Sequence, residues 1–226
     1  MVFKRVSWLV ILATLVWTAP AFAQEPRVEL SLLLGWSLSD GVTGNAVRTD
    51  DGEIFDELEP KDSFKWGLMG GVLLGDYGNA EVGFMWSQQL STLQVTGTTT
   101  REIGEFTVSG YHGYFGYNFF ENDASARPYI FGGLGATSYG GVDYTRVIGG
   151  GPGHIDGESQ FSTTWGAGVK FYAGNIGARI GVQWTPTYIK SDAAGYWCDP
   201  YWGCYLVGDP QYSSQFDFGG GILIRF

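Results

Sequence analysis

Histidine and cysteine are scarce in this sequence, with two of each in 226 residues, and beyond the N-terminus no apolar run reaches helix-spanning length. A spanning helix needs about 20 apolar residues, so any further residence in a membrane must come from strands. His112 is followed by Gly113 and Tyr114, and His154 lies in a glycine-rich stretch. Neither shows the Ser, His and acid pattern that nucleophilic catalysis requires, and no catalytic residue is assigned. Cys198 and Cys204 are close in sequence. In an exported chain that spacing predicts a disulfide stapling one loop. A metal site is the alternative, but no histidine lies near enough to complete a zinc shell. Asp50-Asp51-Gly52-Glu53 lacks the alternating oxygens of a calcium loop, and Gly149 to Gly153 is not followed by the Lys-Ser or Lys-Thr of a phosphate loop. No cofactor or metal is expected. Basic residues are also few, 13 against 23 acids. Loss of Lys4 and Arg5 with a leader leaves 11 against 23, a net charge of about −12, which argues against a nucleic-acid partner.

The leader itself is legible. Lys4 and Arg5 precede an uncharged apolar run from Val6 to Thr18, then Pro20 and the cleavage pattern Ala21-Phe22-Ala23. Residues 1–23 are therefore expected to be a secretory signal peptide, too short for a membrane anchor, and 24–226 the exported domain. That domain is rich in what the leader lacks: the chain holds 36 glycines, 9 Trp, 13 Tyr and 15 Phe. Rings facing lipid and glycines relieving curvature inside suit a narrow barrel.

The last twelve residues show the pattern most clearly. Phe216, Phe218, Gly220, Ile222, Ile224 and Phe226 occupy one register; Gln215, Asp217, Gly219, Gly221, Leu223 and Arg225 occupy the other. One face is greasy and the other small or charged, as in a wall between hydrocarbon and a wet interior. The same period-two alternation recurs over 27–39, 64–74, 81–87 and onward toward Val95, 106–120, 127–139, 160–172 and 176–188. In the fourth of these, aromatics fill both registers; Tyr111, Phe115, Tyr117 and Phe119 are assigned to lipid, with His112, Tyr114 and Phe120 opposite. The connections alternate long (40–63, 96–105, 140–159, 190–209) and short (75–79, 121–126, 173–175). The fold predicted is an all-β, eight-stranded antiparallel up-and-down transmembrane β-barrel with long loops outside the cell and short turns in the periplasm. A soluble lipocalin-like barrel, whose opening motif Gly35-Trp36 resembles, would have to bury the aromatic face, and so many rings would overfill it.

Tyr111-His112-Gly113-Tyr114-Phe115-Gly116-Tyr117, followed after a short turn by Arg127-Pro128-Tyr129-Ile130-Phe131-Gly132-Gly133-Leu134-Gly135, resembles the central hairpin of the OmpA-like and OmpX-like outer-membrane barrel domains. The resemblance implies residence in the cell outer membrane, with membrane lipid and lipopolysaccharide as partners. It also implies a C-terminal Phe226 that serves the barrel assembly machinery as an assembly signal.

With the greasy faces outward, Glu29, Lys65, Glu81, Lys170, Arg179, Asp217 and Arg225 point into the lumen, the last able to meet Glu29 across the closing seam. They form either a selectivity ring for a narrow pore or an ion-pair network that plugs it. The plug is preferred, because eight strands leave room only for their own side chains or one small ligand. In the last loop Tyr196, Trp197, Tyr201, Trp202 and Tyr205 surround the cysteines. Held by a disulfide, Trp197, Tyr201, Trp202 and Tyr205 suit recognition of an unidentified surface ligand, or else rest on lipid headgroups. The expected role is structural or surface interaction without catalysis. A narrow pore is the alternative, and a lipid A-modifying enzyme stands third.

Overall fold

The computed structural model describes residues 27–48, 54–121, 123–145, 152–189, 197–199, 203–205 and 211–226. The proposed signal segment 1–23 lies outside them. Eight antiparallel strands close on themselves: β1 (Val28–Ser39), β4 (Ser63–Leu74), β5 (Ala80–Gly97), β6 (Thr100–Asn118), β7 (Ala126–Tyr139), β10 (Glu158–Ala173), β11 (Ile176–Ile189) and β14 (Gln211–Arg225). Each pairs with its sequence neighbour in the wall, and the seam joins β1 to β14 from Glu29 opposite Arg225 to Ser39 opposite Gln215. Below the seam Arg27 N–H donates to the Phe226 carbonyl at 2.7 Å, and Phe226 N–H to the Val28 carbonyl at 2.9 Å. Closure leaves no unpaired edge in the hydrocarbon layer, which is the condition for strands to span it.

The distribution of side chains is inverted relative to a soluble domain. Leu30, Leu34, Phe64, Phe84, Phe115, Trp165, Ile180 and Phe218 stand exposed on the outer wall, while Glu29, Ser31, Lys65, Gln89, His112, Lys170 and Thr187 are buried inside. The fourth spanning strand, β6, settles its two aromatic registers: Tyr111, Phe115, Tyr117 and Phe119 face outward, and His112 and Tyr114 face the lumen. Phe120 does not continue the inner register. The chain leaves the ladder at Asn118, and Phe120 sits exposed at φ 69°. Its carbonyl is held by Asn79 Nδ2 at 3.1 Å and Arg127 Nη2 at 3.2 Å. A bulky residue rarely adopts that left-handed conformation unless neighbours fix it.

None of the four long connections is a plain loop. The acidic stretch 40–63 contains β2 (Val42–Arg48) and β3 (Ile54–Pro60), and β3 pairs with the upper part of β5. The segment 140–159 contains the hairpin β8 (Val142–Thr145) and β9 (Pro152–Ile155), and 190–209 contains β12 (Trp197–Asp199) and β13 (Gly203–Tyr205). The largest correction concerns 96–105: β5 and β6 run on as one hairpin that turns over residues 98–99. Above the membrane both flanks of a strand can meet water, so the greasy outer register disappears although the pairing does not. Polar composition there marks exit from lipid rather than the end of the strand.

β2, β3 and the upper parts of β5 and β6 thus form a four-stranded sheet above the barrel, with β5 rising up to roughly 20 Å past the last apolar outward residue. Its inner face carries its own core, in which Leu93, Phe106, Val108 and Val142 pack with Leu58, Ile103, Tyr139 and Ile155.

Candidate functional site

The lumen is filled in three layers. Near the periplasmic end, Lys170 Nζ lies 2.5 Å from Glu29 Oε2 and 2.6 Å from Glu81 Oε2. Tyr172 donates its hydroxyl to Glu29 Oε1 at 2.6 Å, Tyr114 to Glu81 Oε1 at 2.6 Å, and Asn118 Nδ2 to Glu81 Oε2 at 2.9 Å. All four carboxylate oxygens therefore accept hydrogen bonds, as buried charge requires. The strands bring this about simply: these residues sit in the inward registers of β1, β5, β6 and β10, so long side chains meet on the barrel axis. The ladder sets Glu29 opposite Arg225, yet the Glu29 carboxylate is taken from across the lumen by Lys170 and Tyr172. Arg225 donates Nε to the Gly174 carbonyl at 2.8 Å and lies 4.5 Å above the Tyr172 ring.

Above the triad Met69, Met85, Tyr114, Tyr129 and Phe131 form an apolar cluster. Arg179 reaches into it, with Nε donating to Tyr129 Oη at 3.3 Å and Nη1 directed at Met69 Sδ at 2.9 Å. The next layer is polar: Lys65 Nζ meets Asp217 Oδ2 at 2.7 Å, and Gln215 donates to Gln89, which donates to Ser63. On the opposite wall His112 Nε2 lies 2.8 Å from Ser162 Oγ, which accepts from Thr137, which in turn accepts from Thr187. Gly135 lets this happen, because a Cβ there would collide with the Tyr111 carbonyl and crowd His112 Cα.

The sequence named Glu29, Lys65, Glu81, Lys170, Arg179, Asp217 and Arg225; the structure brings Glu29, Glu81 and Lys170 into one triad, pairs Lys65 with Asp217, and leaves Arg225 outside the network on the Gly174 carbonyl. It did not tie Tyr114, which it set on the inner register, to the network, and it missed Asn118, Tyr172 and Arg127. Arg127 is buried and donates Nη2 to the Gly78 carbonyl at 2.9 Å. Its signal was in plain view in Arg127-Pro128-Tyr129, whereas the inward Tyr114 gave no sign of which carboxylate it would meet. The His112–Ser162 contact joins residues 50 positions apart, beyond the reach of any spacing rule. It is enclosed in the lumen, and among the described residues His112 Nδ1 has no hydrogen-bond partner.

Outside the membrane, His154 Nδ1 lies 2.6 Å from Asp143 Oδ1 in an exposed hairpin. Among the described residues no three His, Cys, Asp or Glu side chains converge as a metal shell. The backbone of β12 and β13 sets Cys198 directly opposite Cys204, with Trp197 opposite Tyr205. Their side chains, and Tyr201 and Trp202 entirely, lie outside the described residues.

Charge on the upper sheet is uneven. Lys61 pairs with Glu102 at 2.6 Å, and that hydrogen bond holds the Glu102 carboxyl below its ordinary range. Glu57 on β3 is pushed above its ordinary value, first by burial and then by Glu59, Asp40 and Asp56. The folded hairpin binds that proton more readily than the unfolded chain. Its stabilisation is complete below the ordinary carboxylate pKa and is lost as pH rises through the raised value. Amide exchange in β2 and β3, corrected for intrinsic rates, should therefore slow by about two-fold between pH 7 and pH 5, small because the site is partly solvated. Glu57→Gln should flatten the profile.

The sequence matches the outer membrane protein beta-barrel domain family over residues 9–203. No curated protein matches at the sequence level. Among solved structures, OprG of Pseudomonas aeruginosa aligns with a TM-score of 0.55 at 10% identity, over 89% of this chain and 97% of that one. The outer membrane protein AlkL, determined in lipid bilayers, aligns with a TM-score of 0.53 at 12% identity, over 92% and 95%. Neisserial surface protein A aligns at 0.49 with 10% identity, over 88% and 97%. At these identities the likeness is one of fold.

Proposed function

The chain belongs to the outer membrane protein beta-barrel domain family, and from that premise we propose that it is a sealed barrel whose working surface is extracellular. Residence in the outer membrane follows from the family and the barrel architecture. The role is to hold an ordered sheet and its associated hairpins above the lipopolysaccharide layer for contact with a surface partner, without catalysis. The observation that carries this reading is the four-stranded sheet of β2, β3, β5 and β6 with a hydrophobic core of its own. A chain needing only a membrane plug would gain nothing from ordering so much backbone in water, since each fixed residue costs about 1–2 kcal/mol of entropy.

The ion-pair network fits a plug better than a selectivity ring, because Glu29, Glu81 and Lys170, and likewise Lys65 and Asp217, are spent on one another. The aromatic hairpin around Cys198 and Cys204 extends the same surface, and a disulfide between these facing residues would fix its rings for recognition. Phe226 N–H donates to the Val28 carbonyl at the closing seam, and a part in barrel assembly is proposed for this residue.

The test is attachment of cells displaying the barrel to surfaces coated with extracellular-matrix protein. Three forms are compared: the wild type, one with the β5–β6 hairpin shortened to the membrane rim, and one lacking Trp197 to Tyr205. Loss of attachment in either truncated form, with unchanged heat-modifiable migration on gels, supports the reading. Equal attachment by all three, at equal surface abundance, would overturn it. Mass analysis of lipid A from cells with and without the protein tests the enzymatic alternative, and no change is expected.

A further inference from the structure

A cavity of about 80 Å³ lies in mid-lumen, between the carboxylate triad and the Lys65–Asp217 pair, with Lys65, Met69, Tyr129, Arg179, Gln183 and Asp217 on its walls. Arg179 is 3% exposed. A guanidinium carries five N–H donors in a rigid fork, and here two of its nitrogens meet only weak acceptors, a phenol oxygen and a thioether sulfur. Among the described residues no carboxylate lies within ion-pair distance of it, and Nη2 meets no acceptor. The triad below has one carboxylate in excess of its ammonium, so its field favours the guanidinium. It offers no free oxygen, because both oxygens of Glu29 and both of Glu81 are already bonded to Lys170, Tyr172, Tyr114 and Asn118. Lys65, the other cation on the cavity wall, is held by Asp217 and Gln215.

We propose that this cavity is a binding site for a small monovalent anion, a halide or a short carboxylate, held by the open edge of the Arg179 guanidinium with Lys65 on the far wall. Three properties point the same way. A buried cation with unspent donors is costly unless an acceptor reaches it. The volume exceeds what one or two waters need and falls short of anything larger than a small ion with its remaining hydration. Gln183, also on the wall, donates one amide N–H to Thr185 Oγ1 at 3.1 Å and keeps a second for the same ion. The Asp217 carboxylate lies on the wall too: Lys65 holds Oδ2 at 2.7 Å, while the buried Oδ1 meets no donor among the described residues. The site goes beyond the surface role above and does not depend on it, because it rests on the cavity and on Arg179 alone.

The experiment refolds the full barrel in detergent from urea in sodium bromide, sodium formate or sodium gluconate at equal ionic strength. Gluconate is too large for the cavity and serves as the reference. Where bromide or formate stands at ten times its Kd, the folded-to-unfolded ratio should rise about eleven-fold over gluconate. Arg179→Met, which removes the charge and keeps an apolar filler, should lose that dependence while still showing heat-modifiable migration. Stabilisation by bromide alone identifies a halide site, and by formate alone a carboxylate site. Crystals grown in bromide should show anomalous density beside the Arg179 nitrogens. Identical unfolding of the wild type in all three salts, or an equal anion dependence in Arg179→Met, overturns the proposal. Should Arg179→Met fail to fold, absence of bromide density beside Arg179 in the wild type would overturn it.

Discussion

Replacing Lys170 with methionine is expected to lower the unfolding free energy by about 3–5 kcal/mol, the usual cost of stranding a buried charge by removing its partner. The ammonium is fully enclosed and is shared by Glu29 and Glu81 at 2.5 and 2.6 Å. Without it two carboxylates face each other, helped only by Tyr172, Tyr114 and Asn118. Hydrogen bonds from neutral donors cannot neutralise both. The triple variant Glu29→Gln, Glu81→Gln, Lys170→Met should recover most of the loss, because a buried ion-pair group replaced as a whole by neutral side chains is often nearly neutral in stability. Urea midpoints of the folded barrel, followed by heat-modifiable migration, give both numbers. A single-variant loss below about 1 kcal/mol would mean that the triad is hydrated and open to solvent.

Ile180→Arg is expected to cost about 2–4 kcal/mol, the penalty for a guanidinium on the lipid face near the bilayer midplane. Ile180 stands 55% exposed at the middle of β11's apolar register, between Ala178 and Val182. The same change at Tyr212, in the first residues of β14 above the apolar band, should cost about 0–1 kcal/mol. That gradient along one wall reports depth in lipid. Equal and small costs at both positions would place the aromatic face in water.

Periodicity made the barrel legible. Strands such as β11 and β14 alternate cleanly because one neighbour is hydrocarbon and the other is the lumen, and the inward charges follow from the same count. What periodicity could not show was the fate of the chain once it leaves lipid. Thr96 on β5, and Thr100, Glu102 and Glu105 on β6, look like loop residues, yet they pair across one hairpin. The signal that remained was the buried series Leu93, Val95, Phe106 and Val108, half of an alternation whose other half had turned polar. Partner choice inside the lumen was equally out of reach. Glu29 faces Arg225 in the ladder and bonds to Lys170 across the axis, because tilt and shear decide which long side chains meet. The His112–Ser162 contact depends on Gly135 leaving space between them, which no pattern of residue types announces.

The most direct test of a sealed barrel that works from its outer surface is conductance across a planar bilayer holding the purified protein. The account predicts a baseline without stable unitary steps at moderate voltage, with steps emerging only when the Glu29–Glu81–Lys170 triad is dismantled. Reproducible ohmic channels in the wild type, with ion selectivity shifted by Lys65 or Arg179 substitution, would contradict it and make the lumen the working surface.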